Sequence, residues 1–264
     1  MRSERILIVI IVLILCLGST AAIGEVVSET VPYTDGEVSL EGYLAYDKAI
    51  GAKRPGVLIV HEWWGLNDYV RQRAEQLARM GYVAFAVDMY GKGKATEHPE
   101  EASEWMMKVT ENIETWRNRA AAGLAQLRKH RLADDGRIAA IGYCFGGSTV
   151  QQLAYGGEDI KGVVSFHGSL VMPPEGITDG VPAKILILHG ASDPMVEKGT
   201  VPDYITAMEK TGIDWQMIVY GGARHSFTNP KADQVKMDAL AYDKTADRRS
   251  WAHMKLFFEE LFNP

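Results

Sequence analysis

Gly142-Tyr143-Cys144-Phe145-Gly146-Gly147 is the stretch from which the rest of the chain can be read. A mostly apolar segment, residues 137–141, leads into it, and residues 148–154 can start a helix. That is a strand–turn–helix setting with the pattern G-x-nucleophile-x-G, cysteine standing where serine is usual. A turn this sharp holds its central residue at strained backbone angles and admits only small neighbours. Gly142 and Gly146 meet that demand. A cysteine placed for packing alone would need neither.

Outward from this turn, extended and helical patterns alternate. Residues 38–45 alternate with period two, and residues 56–61 form a continuous apolar run of buried-strand type. Further strands are expected at 82–87, 138–143, 162–166, 185–189 and 215–220. Helical patterns fall at 68–80, closed by Gly81, and at 99–108, 111–130, 200–210, closed by Gly212, and 246–262. Apolar strands separated by helices predict a mostly parallel central sheet flanked by helices on both faces. No repeat or Pro/Ser-rich linker divides residues 31–264, so a single α/β domain is expected there. In such a sheet, functional side chains gather at the carboxyl ends of the strands.

Composition narrows the function. The chain has 264 residues, 47% hydrophobic and 23% charged, which suits one domain with a large core. A net charge of −6 without a basic stripe argues against nucleic-acid binding. Residues 1–22 read as a signal peptide. Arg2 and Arg5 precede the apolar run 6–17, and the small residues 18–22 end in a cleavage site after Ala22. An uncleaved anchor is the alternative, although the run falls short of the roughly 20 residues that span a bilayer. Cys16 lies inside the apolar run, and Leu15 before it is too bulky for a lipoprotein signal. Periplasmic or secreted protein is the expectation, with no other membrane contact. Removal of the signal leaves Cys144 as the lone thiol, which in an oxidising compartment needs either burial or a task.

Four expected strand ends carry reactive side chains: His61-Glu62, Cys144, His189 to Asp193, and Arg224-His225. Cys144, Asp193 and His225 occur in the order nucleophile, acid, base. A thiolate is favoured by a neighbouring imidazole, and a carboxylate holds that imidazole in one tautomer. Singly, Asp193 before Pro194 reads as a turn residue and His225 as a loop histidine; jointly they make a triad. His61, His167 and His189 also fall at strand ends, yet none pairs at metal-ligand spacing, so no metal is expected.

The segments HEWWGLN, DMYG, GYCFGG, HGASDP and ARHSF, in that order, resemble the dienelactone hydrolase family, cysteine hydrolases of α/β-hydrolase fold. The resemblance covers residues 31–264. It implies Cys144 as nucleophile, His225 as general base and then acid, and Asp193 as the residue that orients it. Glu62 matches the family's glutamate beside the thiol, which switches the cysteine between a quiet and an activated state. The backbone N–H groups of Trp63 and Phe145 are the oxyanion hole it implies.

Two departures from the family pattern bear on the substrate. Members acting on dienelactone hold its carboxylate with arginines near the DMYG-type segment and after the ARHSF-type histidine; here Gly91 and Asn229 stand there. Lys92 or Lys94 can offer a point charge but no bidentate fork. Trp63, Trp64, Tyr90 and Phe145 would form an aromatic, largely uncharged mouth, with Trp64, Tyr90 and Lys92 as substrate-pocket residues. The expectation is an exported monomer that hydrolyses a small ester or lactone through a thioester, without metal or organic cofactor. A thiol redox protein lacks a resolving cysteine here. A non-catalytic binding module on the same fold is the other alternative.

Overall fold

Eight strands form one sheet in the computed structural model, which describes residues 24–177 and 180–263. The expected signal segment, with Cys16, lies outside the described residues. The strands are β1 (Val26–Asp35), β2 (Val38–Asp47), β3 (Arg54–Val60), β4 (Val83–Val87), β5 (Ala133–Tyr143), β6 (Gly162–Phe166), β7 (Lys184–Gly190) and β8 (Trp215–Tyr220). Their spatial order is β1-β2-β4-β3-β5-β6-β7-β8. β1 pairs antiparallel with β2, and β2 antiparallel with β4. From β4 to β8 every pairing is parallel. The mixed α/β, single-domain architecture with a mostly parallel sheet is the one expected.

Among the described residues, six α-helices cover the two faces: α1 (Asp68–Arg79), α2 (Pro99–Thr110), α3 (Ile113–Lys129), α4 (Phe145–Tyr155), α5 (Thr200–Met208) and α6 (Lys244–Phe262). One core joins α3, α4 and α5 to side chains such as Leu58, Val60, Ile138 and Val163. The other joins α1 and α6 to Val57, Ile59, Ile141 and Val164. Neighbouring residues of one strand thus enter opposite cores, the period-two geometry of a sheet buried on both sides. Each buried aliphatic side chain contributes roughly 1.5–3 kcal/mol relative to exposure.

The helix ends follow local chemistry. The Asn112 side chain accepts a hydrogen bond from the Thr115 amide, and Asp243 accepts from the Thr245 and Ala246 amides. Such caps satisfy amides that a helix start leaves open. α4 has no side-chain cap, and it is buried along its whole length. Pro99 in the first turn of α2 starts that helix without losing a hydrogen bond.

β1 is the strand that periodicity did not predict. Ser28, Glu29, Thr30 and Thr34 make it polar, and it contains Pro32. A proline lacking its N–H is tolerated on a sheet edge, where this strand lies. Gly36, at φ 56°, makes the tight turn into β2.

Two glycines bring the sheet and α4 into contact. A Cβ on Gly142 would lie 1.9 Å from the Gly146 carbonyl oxygen, and a Cβ on Gly146 would lie 2.2 Å from the Val60 carbonyl oxygen. Both obstacles are backbone, so neither can swing aside. Gly146→Ala is expected to destabilise the fold by about 3 kcal/mol, near the upper range for overpacking. At this chain size that lowers the thermal midpoint by about 6–12 °C. A calorimetric midpoint unchanged in that variant would show that the contact between β3 and α4 is loose.

Candidate active site

Because β3, β5, β6, β7 and β8 run parallel, their carboxyl ends open on one edge of the sheet. Cys144 follows β5 directly and is half-buried. Its φ of 54° and ψ of −117° lie where side-chain-bearing residues are rarely found, a strain of order 1–3 kcal/mol. The Cys144 amide donates to the Phe166 carbonyl at 3.0 Å and to His167 Nδ1 at 3.2 Å. Those bonds hold the strained turn against the end of β6.

Asp193 and His225 are brought together by a second close approach of backbones. Gly190, which ends β7, faces the loop after β8 so tightly that a Cβ there would lie 2.5 Å from the Ala223 carbonyl oxygen. The Ser192 amide then donates to that same oxygen at 2.9 Å. His225 Nδ1 meets Asp193 Oδ2 at 2.8 Å, with both side chains buried. The other Asp193 oxygen accepts the Met195 amide. His225 Nε2 is buried and has no hydrogen-bond partner among the described residues.

Burial works against a charge on His225. The nearby Cys144 and the hydrogen bond to Asp193 more than offset it, and the imidazole pKa is pushed up to about 10. Cys144 raises the proton affinity of His225 through its proximity, although His225 Nε2 has no aligned hydrogen-bond partner among the described residues. His167 packs edge-on against His225, ring centroids 5.4 Å apart. Burial holds His167 well below the ordinary imidazole range, and the charges of His225 and Arg73 push the same way. Of these two adjacent imidazoles, His225 is therefore the one that favours the proton.

Glu62 follows the end of β3 and is buried. Ser226 Oγ donates to its Oε1 at 2.7 Å and Asn229 Nδ2 to its Oε2 at 2.6 Å. Both donors are neutral. Burial raises the proton affinity of Glu62, with the two hydrogen bonds and the charges of His225 and Arg73 opposing the rise. The carboxylate is thus tethered to the loop that carries His225.

That loop is fastened further along. Thr228 Oγ1 lies 2.7 Å from His167 Nε2 and 2.6 Å from the Tyr69 hydroxyl, and the Thr228 carbonyl accepts from Arg73. Arg73 also pairs with Asp247 at 2.5 Å and lies over the rings of Tyr69 and Trp251. His167, Ser226, Thr228, Tyr69 and Arg73 were not anticipated as site residues. Only His167 carried a signal, as a histidine at a strand end.

The amides of Trp63 and Phe145 form no hydrogen bond among the described residues, so both are open donors. Three of the four expected mouth aromatics are more buried than a mouth requires. Phe145 stacks between Tyr90 and Trp116. Tyr90 lies beneath the Trp63 loop, its hydroxyl donating to the Trp63 carbonyl at 3.1 Å. Trp64, though buried, lines a cleft of about 460 Å³ together with Tyr69, Thr96, Asn229 and Lys231. Trp63 is half-buried, its ring 4.7 Å from that of Trp64. The Lys92 amide is pinned to the Ser39 carbonyl, and its ammonium pairs with Glu41 at the surface. Lys94 runs beside Gly91, with its ammonium over Trp105. No group of three or more metal-ligating side chains gathers among the described residues.

Comparison with known proteins matches residues 40–262 to the model of the dienelactone hydrolase family. A dienelactone hydrolase-like promiscuous phosphotriesterase from metagenomic libraries superposes with a TM-score of 0.87 at 36% identity, covering 90% of this chain and all of that one. A putative carboxymethylenebutenolidase of Aquifex aeolicus is 27% identical over 236 residues, 88% of this chain and 97% of its own. The protein usf of Aquifex pyrophilus is 28% identical over 237 residues, 88% of this chain and 98% of its own.

The charge on His225 gives a direct test. Its raised pKa means the folded state holds the proton through neutral pH. The stability this contributes is complete below the ordinary imidazole value near 6.5 and is lost as pH rises through about 10. An NMR titration of the His225 ring should show a midpoint far above the ordinary value, falling in Cys144→Ala. An equal midpoint in both proteins would assign the shift to Asp193 alone.

Proposed function

The chain belongs to the dienelactone hydrolase family of ester and lactone hydrolases, and we propose that it works through a Cys144–His225–Asp193 triad and a thioester. One observation carries this reading. The half-buried thiol stands on a strained turn beside an imidazole whose Nδ1 is engaged by a carboxylate and whose Nε2 is free. In the proposed reaction the Cys144 thiolate attacks the carbonyl carbon, and the Trp63 and Phe145 amides receive the oxyanion. Collapse breaks the ester C–O bond, the leaving alkoxide takes the proton from His225 Nε2, and a thioester remains. His225 then removes a proton from water, which adds to the thioester. Collapse of that adduct releases the acid and returns the thiolate.

Glu62 is proposed to gate the thiol. Its tethers to Ser226 and Asn229 support a resting position on the histidine loop. Burial suits it to take up a proton once a substrate breaks those tethers. With Asn229 rather than a cation beside it, the tether is a neutral one.

The substrate is proposed to be an uncharged ester or lactone. Gly91 and Asn229 supply no cation, Lys92 is occupied by Glu41, and in the cleft beside Trp64 the cation of Lys231 is outnumbered by the acids Asp68 and Glu97. The same lack of a cation surplus suits a neutral phosphotriester, the substrate type named for the metagenomic relative, as a side reaction. Export is proposed from Arg2, Arg5 and the apolar run 6–17 that follows. Action as a monomer is part of the same proposal.

Cys144→Ala should lower kcat for a small activated ester by about a thousandfold or more while leaving the thermal midpoint nearly unchanged. Turnover equal to wild type would sink the mechanism. In a panel of lactones matched in size, neutral members should be preferred over those bearing a carboxylate. A preference for the anions would overturn the substrate assignment.

A further inference from the structure

His61 is a buried histidine that the proposed reaction does not use. It follows β3 and precedes Glu62, and both of its nitrogens are engaged. The Met89 amide donates to Nε2 at 3.2 Å, so Nε2 carries no proton and Nδ1 must. Nδ1 lies 2.5 Å from the Glu62 carbonyl oxygen and therefore donates to it. That oxygen also accepts the Gly65 amide at 3.3 Å. The ring is fixed by Tyr90 at 4.9 Å between centroids and by Phe145 at 6.0 Å. Burial lowers its proton affinity, in keeping with the neutral tautomer that these bonds set.

The Glu62 carbonyl belongs to the same peptide group as the Trp63 N–H. A peptide whose oxygen accepts a strong hydrogen bond has a more polarised N–H, and its plane is held in place. The Trp63 N–H has no other partner among the described residues. The ring that polarises this peptide also touches Phe145, the residue of the second open amide.

We propose that His61 is a positioning residue for the oxyanion hole, aiming and strengthening the Trp63 N–H through the carbonyl of the Glu62–Trp63 peptide. This rests on the reading of Cys144 as an ester-cleaving nucleophile. It assigns His61 no contact with substrate and no proton transfer.

The test separates the oxyanion hole from the nucleophile. Alkylation of Cys144 by iodoacetamide needs the thiolate but forms no oxyanion, whereas ester hydrolysis needs both. His61→Phe keeps a ring and removes both nitrogens. It should lower kcat for p-nitrophenyl acetate about tenfold, part of the roughly hundredfold or greater loss that follows deletion of an oxyanion donor. KM and the alkylation rate should stay within about twofold of wild type. The Trp63 amide proton should move upfield while that of Phe145 stays in place. His61→Asn, whose Nδ2 can take the place of Nδ1, should restore most of kcat.

Unchanged kcat and Trp63 shift in His61→Phe, or a parallel loss of alkylation, would overturn the proposal. If Phe at 61 unfolds the chain, His61→Asn against His61→Asp makes the same comparison, since only the amide can donate. If wild-type protein is alkylated at Cys144 but hydrolyses no ester, the function reading fails, and the Trp63 resonance alone decides the role of His61.

Discussion

The contact between the end of β3 and the start of α4 is the constraint on which the site depends. Gly146 lies against the carbonyls of Val60 and His61, and Gly142 against the carbonyl of Gly146. With no side chains between them, the turn at Cys144 and the loop beginning at His61 are pressed together. The strained φ of Cys144 is what this contact requires of a chain leaving a central strand and entering a buried helix. The surrounding packing over-determines the strain, so the turn cannot relax by itself.

Everything else at the site is arranged around that fixed point. Asp193 and His225 come from the loops after β7 and β8, joined at Gly190 and Ala223. Residues 225–229 then make one contact after another: His225 to Asp193, Ser226 and Asn229 to Glu62, Thr228 to His167, Tyr69 and Arg73. His225, Ser226 and Asn229 reach the site carboxylates, while Thr228 reaches His167 and the supporting helix α1. A disturbance at Arg73 or Tyr69 on α1 therefore reaches the histidine through bonds of ordinary length, without crossing solvent.

The parts legible in the sequence are those written in local pattern. Apolar runs marked β3, β4, β6 and β7 because both faces of each are buried. Paired glycines marked the elbow because only a close approach demands them. The order of Cys144, Asp193 and His225 was legible because each ends its own strand. β1 was not, since an edge strand satisfies only one face and its polar residues obscure the period. The partners of Glu62 were not either. Ser226 and Asn229 are ordinary loop residues whose importance lies in facing a residue more than 160 positions away. The ion pair of Lys92 was not legible for a similar reason: its neighbour in space is Glu41 on β2, which no spacing near residue 92 reveals.

The complete burial of α4 has a consequence for how the molecule fails. A helix with one wet face can fray while its neighbours persist, but α4 has no such face. The first turn of this helix contributes the Phe145 amide, and the residue before it is Cys144. Loosening the site through α4 thus requires opening the core that it shares with α3 and α5. Loss of the reactive geometry and loss of the fold become a single cooperative event, and warming takes the molecule from intact to melted without a long interval in which it is folded but dead.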